Sequence, residues 1–358
     1  MTSTGKSAEM RERLRSLREI CSGAKDVLVL IYSNPDPDAL ASALALKEIL
    51  GTDERSVHIG YTGAVGRPEN ASMIKLLKLP AARVTEEDAA KYDIIAIVDA
   101  QPQFFVDFGL PRCDIVIDHH PLRDRVRAGY ADIRPEYLST SAIMTEYLRA
   151  ARATVTGNLA SALYYGIKTD TRNFLGELGR GDTEAIRWLG GKADREIVSR
   201  IEFSQFSRES LDYFGLALQR RRLVNGVIFS HLGTVPFSDV CVQVADFLIR
   251  VENVYWAVVS CVVDDTLVVV FRNDGIGKDA GLLARSAFGC IGSAGGHRGM
   301  ARAEVKQDAI SDDILLSDDT AIERFVLAAL TKVDPVFAPV LKSVGGQSAP
   351  GIVCSTFS

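Results

Sequence analysis

The stretch Val27-Leu28-Val29-Leu30-Ile31-Tyr32-Ser33-Asn34-Pro35-Asp36-Pro37-Asp38-Ala39 carries an unbroken apolar run directly into two carboxylates. A run this short and this apolar reads as a buried strand. The prolines at 35 and 37 hold the following backbone extended, so Asp36 and Asp38 can project to one side. Ala39 to Leu50 then reads as an apolar helix ended by Gly51. The same alternation continues outward, with strands at Ser56–Tyr61, Ile94–Val98 and Ile115–Ile117. Helices fall at Asn70–Leu79, Ser141–Ala150, Asn158–Ile167 and Thr183–Leu189, and Met10, Leu14, Leu17 and Cys21 recur at helical spacing before the first strand. The pattern predicts an α/β fold, a mainly parallel sheet flanked by helices.

At 358 residues, with 47% hydrophobic and 24% charged residues, the chain has material for two globular domains. The reading places a first domain at 1–193 and a connecting helix at 194–224 that ends in Arg220-Arg221-Arg222. A smaller α/β domain follows at 225–335, and residues 336–358 read as a tail. The smaller domain is expected to hold strands at Val227–His231, Tyr255–Val263 and Thr266–Arg272, a helix at Asp279–Phe288 and a glycine-rich loop from Gly292 to Gly299. Apolar runs fall far short of the ~18 residues that a membrane span requires. The charged N-terminus lacks the apolar core of a secretory signal, so a cytoplasmic location is expected. A net charge of −5 argues against a broad basic face for long duplex nucleic acid. The six cysteines show no paired spacing, so neither a disulfide framework nor a structural zinc is expected.

Chemistry enters where the strands stop. The first runs into Asp36 and Asp38, the strand Ile94–Val98 into Asp99, and the strand Ile115–Ile117 into Asp118-His119-His120-Pro121. In a parallel sheet these carboxyl ends share one edge, where such folds place ligands. Taken singly, an aspartate after a strand is ordinarily a turn or helix-capping residue. Several of them on one edge repel each other unless a cation lies between them. With Asp170 added, the set is rich in oxygen, contains imidazole and lacks thiolate, which suits Mn²⁺ or Mg²⁺. A two-metal centre for in-line phosphoryl displacement is the chemistry such a set implies. In the second domain, the backbone N–H groups of the glycine-rich loop, together with His297 and Arg298, offer an anion site. His58 and His231 are expected to be structural, and the arginine run to be a solvated helix face.

Asn34 to Ser42, Val98-Asp99, Asp118 to Pro121, Gly166-Ile167-Lys168-Thr169-Asp170 and Gly295-Gly296-His297 together resemble the DHH phosphoesterases with an attached DHHA1 domain. The resemblance implies a Mn²⁺-dependent hydrolase of phosphate esters, with Mg²⁺ as an alternative ion. Its substrates would be short oligonucleotides, as in nanoRNases, linear dinucleotides or 3′-phosphoadenosine 5′-phosphate, attacked by metal-activated water. Carried over by motif position, Asp36 and Asp99 would hold one metal, and Asp38, Asp99, His119 and Asp170 the other. His120 would face the phosphate, Asp118 would orient the histidine pair, and Arg272, Gly295, Gly296, His297 and Arg298 would bind substrate. Partners would be the small nucleotide and, in a homodimer, a second copy of the chain.

This chain departs from the resembled pattern at two places. Tyr32 stands where a metal-ligating histidine is expected, and a neutral phenol is a poor ligand for Mn²⁺, which implies one tight and one weakened metal site. Met300-Ala301-Arg302 stands where two alanines and a glycine are usual. The alternatives are an inorganic pyrophosphatase or polyphosphatase on the same metal core, and a nucleotide-binding sensor with weakened catalysis.

Overall fold

Apolar runs too short for helices become strands buried on both faces, and the amphipathic segments between them become covering helices. The computed structural model describes residues 3–33, 35–122, 125–171, 173–174, 178–204, 208–311 and 314–344, so Asn34 lies outside the described residues. The chain divides into two units, 1–205 and 206–358. The first unit begins with α1 (Ser3–Ile20), β1 (Asp26–Ile31), α2 (Pro37–Leu50), β2 (Ser56–Tyr61), α3 (Pro68–Leu77), β3 (Ala81–Arg83) and α4 (Glu86–Ala89). It continues with β4 (Ile94–Val98), a single 3₁₀ turn at Pro102–Phe105, β5 (Ile115–Asp118), β6 (Tyr130–Ile133), α5 (Thr140–Ala151), α6 (Gly157–Asp170), α7 (Arg180–Gly190) and α8 (Arg195–Glu202).

All six strands are parallel, in the order β3-β2-β1-β4-β5-β6. The order reverses between β1 and β4, and at such a switch point the loops diverge and leave a crevice at the carboxyl ends. The strand pleat sorts the core into two layers. Val27, Val29 and Ile31 join the large cluster under α2, α5 and α6, while Leu28 and Leu30 meet Phe105 on the opposite face.

The second unit comprises α9 (Arg208–Arg220), β7 (Arg222–Val224), β8 (Val227–Thr234), α10 (Asp239–Leu248), β9 (Trp256–Val263), β10 (Thr266–Asn273), α11 (Ala280–Phe288), β11 (Ser293–His297), β12 (Met300–Lys306), α12 (Asp319–Val333) and α13 (Ala338–Ser343). Its sheet runs β11-β12-β10-β9-β8-β7, antiparallel except for the β8–β9 pair.

Three expectations need correction. The segment 194–224 is not one connecting helix. Val198 and Ile201 of α8 are buried in the first unit's core, Ala217 of α9 in the second unit's, and Arg222–Val224 pair with β8 as a strand. The turn between those strands is Asn225-Gly226, both at positive φ (48° and 76°), a two-residue hairpin signal that outweighs the helical pattern before it. The glycine-rich segment is not a loop, since Ser293–His297 pair in register with β12. A Cβ on Gly292 would lie 2.1 Å from the Glu304 carbonyl oxygen, so the glycine serves a close backbone approach. The expected tail at 336–358 opens with a 3₁₀ turn and α13, and it buries Phe337 and Val340. Residues 345–358 of that tail lie outside the described residues. Among the described cysteines, Cys21, Cys113, Cys241 and Cys261 are free, whereas Cys290 is disulfide-bonded. No described helix is long and apolar enough to cross a membrane.

Candidate metal centre

Asp38 lies in the first turn of α2 and is fully buried, yet both its oxygens are satisfied. The backbone N–H groups of Thr140 and Ser141 donate to Oδ2 and Oδ1, each at 2.7 Å. These are the first two residues of α5, so the carboxylate sits on that helix's positive end. The approach is tight, because a Cβ on Gly166 of α6 would meet Ser141 Oγ at 2.5 Å and Asp38 Cα at 3.1 Å. Asp99 reaches the same point by a backbone device. The pleat of β4 alternates Ile97 and Val98 between the two core layers, and would send Asp99 away from α5. Its φ of +57° turns the side chain back, and Thr140 Oγ1 donates to Asp99 Oδ1 at 2.8 Å.

His119 follows β5 and is buried. Its Nδ1 faces the Tyr137 carbonyl at 3.3 Å, and since a carbonyl only accepts, Nδ1 carries the proton. Nε2 then presents a lone pair 3.5 Å from both Asp99 Oδ1 and Asp170 Oδ2, and it is buried without a hydrogen-bond partner. Burial, reinforced by neighbouring His120, pushes the His119 pKa down to about 4, which leaves it neutral and able to ligate at pH 7. Asp170 is the last residue of α6, an end where the helix dipole disfavours a carboxylate.

One ligand atom each from Asp38, Asp99, His119 and Asp170 lies within 4.8 Å of the others. Burial first, and then mutual repulsion, raises the carboxyls of Asp99 and Asp170 well above the usual range. A divalent cation removes that penalty and gives Nε2 of His119 its missing partner, so the donor set fits Mn²⁺ or Mg²⁺. Asp99, His119 and His120 form an overlapping group within the same distance. Asp36 is outside both groups and does what an isolated aspartate there ordinarily does, capping α2 by accepting from the Ala39 N–H at 2.9 Å. Burial and the charge of Asp38 raise its pKa.

Beside this cluster, Asp118 Oδ1 meets His120 Nδ1 at 2.8 Å, and Gln101 donates to Asp118 Oδ2 at 2.8 Å. Burial opposes ionisation of both groups, but their pairing prevails, lowering the Asp118 pKa and raising that of His120. Thr140, Ser141, Tyr137 and Gln101 were not singled out by sequence reasoning. A serine and threonine opening a helix are an ordinary capping signal, and only the fold shows which carboxylates they meet. Tyr32 packs its ring on Phe104 and Phe105, at centroid distances of 5.7 and 5.2 Å.

In the second unit, strand register puts Arg272, Gly295 and His297 on one sheet face, with Arg302 beside them. Arg272 pairs with Asp246 at 2.6 Å, and Arg302 with Ser238 at 2.7 Å and Glu304 at 2.6 Å. Gly296 points the other way, and its role is packing. Its φ is +145°, and a Cβ on Gly281 of α11 would meet its carbonyl oxygen at 2.3 Å. Arg298 occupies the exposed β11–β12 turn. His231 is structural, with Nδ1 2.9 Å from Ser260 Oγ. Arg220 and Arg222 pair within this unit, with Asp319 and Glu323, rather than standing on a solvated face.

A doubly wound parallel sheet with acids and a histidine gathered at its switch point defines an α/β domain with a candidate metal site. Residues 26–167 match the DHH family, N-terminal domain, so the first unit carries that family's domain. It is 33% identical over 305 residues to an uncharacterized protein of Methanocaldococcus jannaschii, covering 85% of this chain and 62% of that one. It is 21% identical over 155 residues to the bifunctional oligoribonuclease and PAP phosphatase NrnA of Mycoplasma genitalium, covering 42% and 47%. It is 26% identical over 222 residues to the cyclic-di-AMP phosphodiesterase GdpP of Geobacillus thermodenitrificans, covering 55% and 34%. The chain thus spans between about a third and three fifths of the length of these curated relatives. An exopolyphosphatase-related protein from Bacteroides fragilis shares the fold, with a TM-score of 0.68 at 16% identity over 92% of this chain and 98% of that one.

Proposed function

We propose that the chain is a divalent-cation-dependent phosphoesterase of the cytoplasm that uses Mn²⁺ and cleaves short oligonucleotides, linear dinucleotides or 3′-phosphoadenosine 5′-phosphate. The observation that carries this reading is the convergence of Asp38, Asp99, His119 and Asp170 donor atoms around an unpartnered imidazole nitrogen. The names of the NrnA and GdpP relatives support the nucleotide assignment. A cation held by these four residues supplies Lewis-acid polarisation of a phosphoryl oxygen and acidifies the attacking water. Asp38, gripped by two N–H groups, keeps its oxygens aimed at that point, and Thr140 does the same for Asp99. His120, whose protonated form is favoured by Asp118, can give a proton to the departing oxygen and offer a positive charge to the phosphate. On this reading one cation is tight and a second, which would need Asp36, is weak, because Tyr32 stands where that site's histidine would be and Asp36 lies outside the clustered donor atoms. Arg272, His297 and Arg302 form the substrate-holding face of the second unit.

The purified chain with Mn²⁺ should turn over a dinucleotide and 3′-phosphoadenosine 5′-phosphate faster than pyrophosphate or a long oligonucleotide. Asp99→Ala should abolish turnover, while His297→Ala should raise KM with kcat largely kept. Faster turnover of pyrophosphate would favour the inorganic-phosphate reading, and binding of nucleotide without turnover would favour the sensor reading.

A further inference from the structure

We infer that Tyr32 is a specificity residue of this site, an aromatic shelf on which a nucleobase of the substrate stacks, rather than a ligand position that has lost its histidine. The inference rests on the nucleotide-directed reading above and goes beyond it by naming the part of the ligand that this ring reads.

Register locates Tyr32. Leu30 pairs with Ile97 in the parallel β1–β4 ladder, and Tyr32 and Asp99 are the first residues beyond these two neighbouring strands, at the same edge of the sheet. The pleat fixes which layer it joins. Leu28 and Leu30 face the smaller core layer that contains Phe105, and Tyr32 continues their row. Its ring meets Phe105 edge-on, at 71° between planes, and lies tilted at 37° to Phe104. The carboxylates gather instead on the layer of α2, α5 and α6, so the phenol is held by two phenylalanines on the other side of the sheet edge. The next residue locks the backbone. Ser33 has φ +50°, donates its N–H to Thr62 Oγ1 at 2.8 Å and accepts from the Gly63 N–H at 2.9 Å.

An aromatic side chain packed on two phenylalanines and still 44% exposed has the form of a stacking platform. It stands at an edge whose other strand-end residues are acids and imidazoles, so it supplies the apolar surface that an inorganic phosphate has no use for and a base does. Stacking of one base on an aromatic side chain is worth about 5- to 150-fold in affinity.

The test compares AMP with ribose 5-phosphate, which carries the same phosphate and sugar but no base, by isothermal titration into the Mn²⁺-loaded full chain. The wild type should bind AMP at least about 5-fold more tightly. Tyr32→Leu should erase that preference while leaving ribose 5-phosphate affinity and Mn²⁺ content per chain unchanged, and Tyr32→Trp should restore it. Quenching of a 2-aminopurine ribonucleotide on binding to the wild type gives a spectroscopic signature that needs no variant. Equal affinity of the wild type for the two ligands overturns the stacking role, as does a preference for AMP that survives Tyr32→Leu. Loss of Mn²⁺ from Tyr32→Leu would instead make the phenol a ligand. If the wild type binds neither AMP nor ribose 5-phosphate, the nucleotide reading itself fails.

Discussion

Thr140 donates its hydroxyl to Asp99 at 2.8 Å, tying the first residue of α5 to the carboxylate that ends β4. The same helix start holds Asp38 through its backbone. Two ligands from distant parts of the chain are therefore aligned by one helix terminus. Thr140→Val keeps the shape and removes the donor. It should weaken Mn²⁺ binding by about 10- to 100-fold, the usual effect of removing a hydrogen bond to a ligand, with little change in the circular dichroism spectrum. Titration calorimetry with Mn²⁺ checks it, and an unchanged affinity would show that Asp99 needs no such support.

Crowded carboxylates make the cation-free site a weak point of the fold. Asp99→Asn removes one charge, and asparagine tolerates the left-handed backbone that Asp99 adopts. Without metal this variant should melt at a higher temperature than the wild type, because the repulsion that raises its neighbours' pKa values is relieved. Adding Mn²⁺ should then raise the wild-type melting temperature and leave that of the variant almost unmoved. Scanning calorimetry with and without Mn²⁺ reads both effects, and a cation-free variant less stable than the wild type would contradict the account.

Gly166 of α6 lies against Ser141 of α5 and Asp38 of α2. In Gly166→Ala the new methyl would press on Ser141 Oγ and the Asp38 backbone, so the variant should lose about 1 to 3 kcal/mol. Because the clash falls on the Asp38 cradle, Mn²⁺ affinity should fall as well. Urea unfolding and metal titration together test this, and a variant with wild-type stability would mean that the helices can separate freely here.

His231 provides a pH signature away from the metal centre. Burial, with Arg220 adding to it against the opposing carboxylate of Asp319, pushes its pKa down to about 4, and Ser260 faces its other nitrogen. An unfolded histidine takes up its proton near pH 6.5. Between about pH 6.5 and 4 the unfolded chain therefore binds a proton that the folded one does not, and stability falls as pH falls through that window. The loss reaches up to roughly 3 kcal/mol. His231→Asn should show a shallower decline in the urea midpoint over this range, and an equally steep decline would place the effect elsewhere.

Much of the first unit was legible because its signals are local. The apolar runs at β1, β4 and β5 are continuous, as strands covered on both faces must be; Asp99 stands directly after β4, Asp118 closes β5, and Asp36 lies in the turn between β1 and α2. The second unit was harder to read at its edges. Ser293–His297 has almost no side chains with which to show a period-two pattern, so only its pairing with β12 makes it a strand. Residues 222–224 continue the helical pattern before them, and only the Asn225-Gly226 turn that follows marks them as a strand.

The parallel sheet, the edge on which the acids collect and the chemical character of the donor set can be read along the chain, since each of these follows from residue type and spacing along one strand or turn. Which of those acids meet is set by the packing of distant segments. Asp36 and Asp38 are two residues apart, yet the first caps its own helix and the second accepts from the start of another, 102 residues further along the chain. Helix packing at Gly166 and a left-handed turn at Asp99 place the four donor atoms, and contacts of that kind join segments whose separation in sequence says nothing about their distance in space.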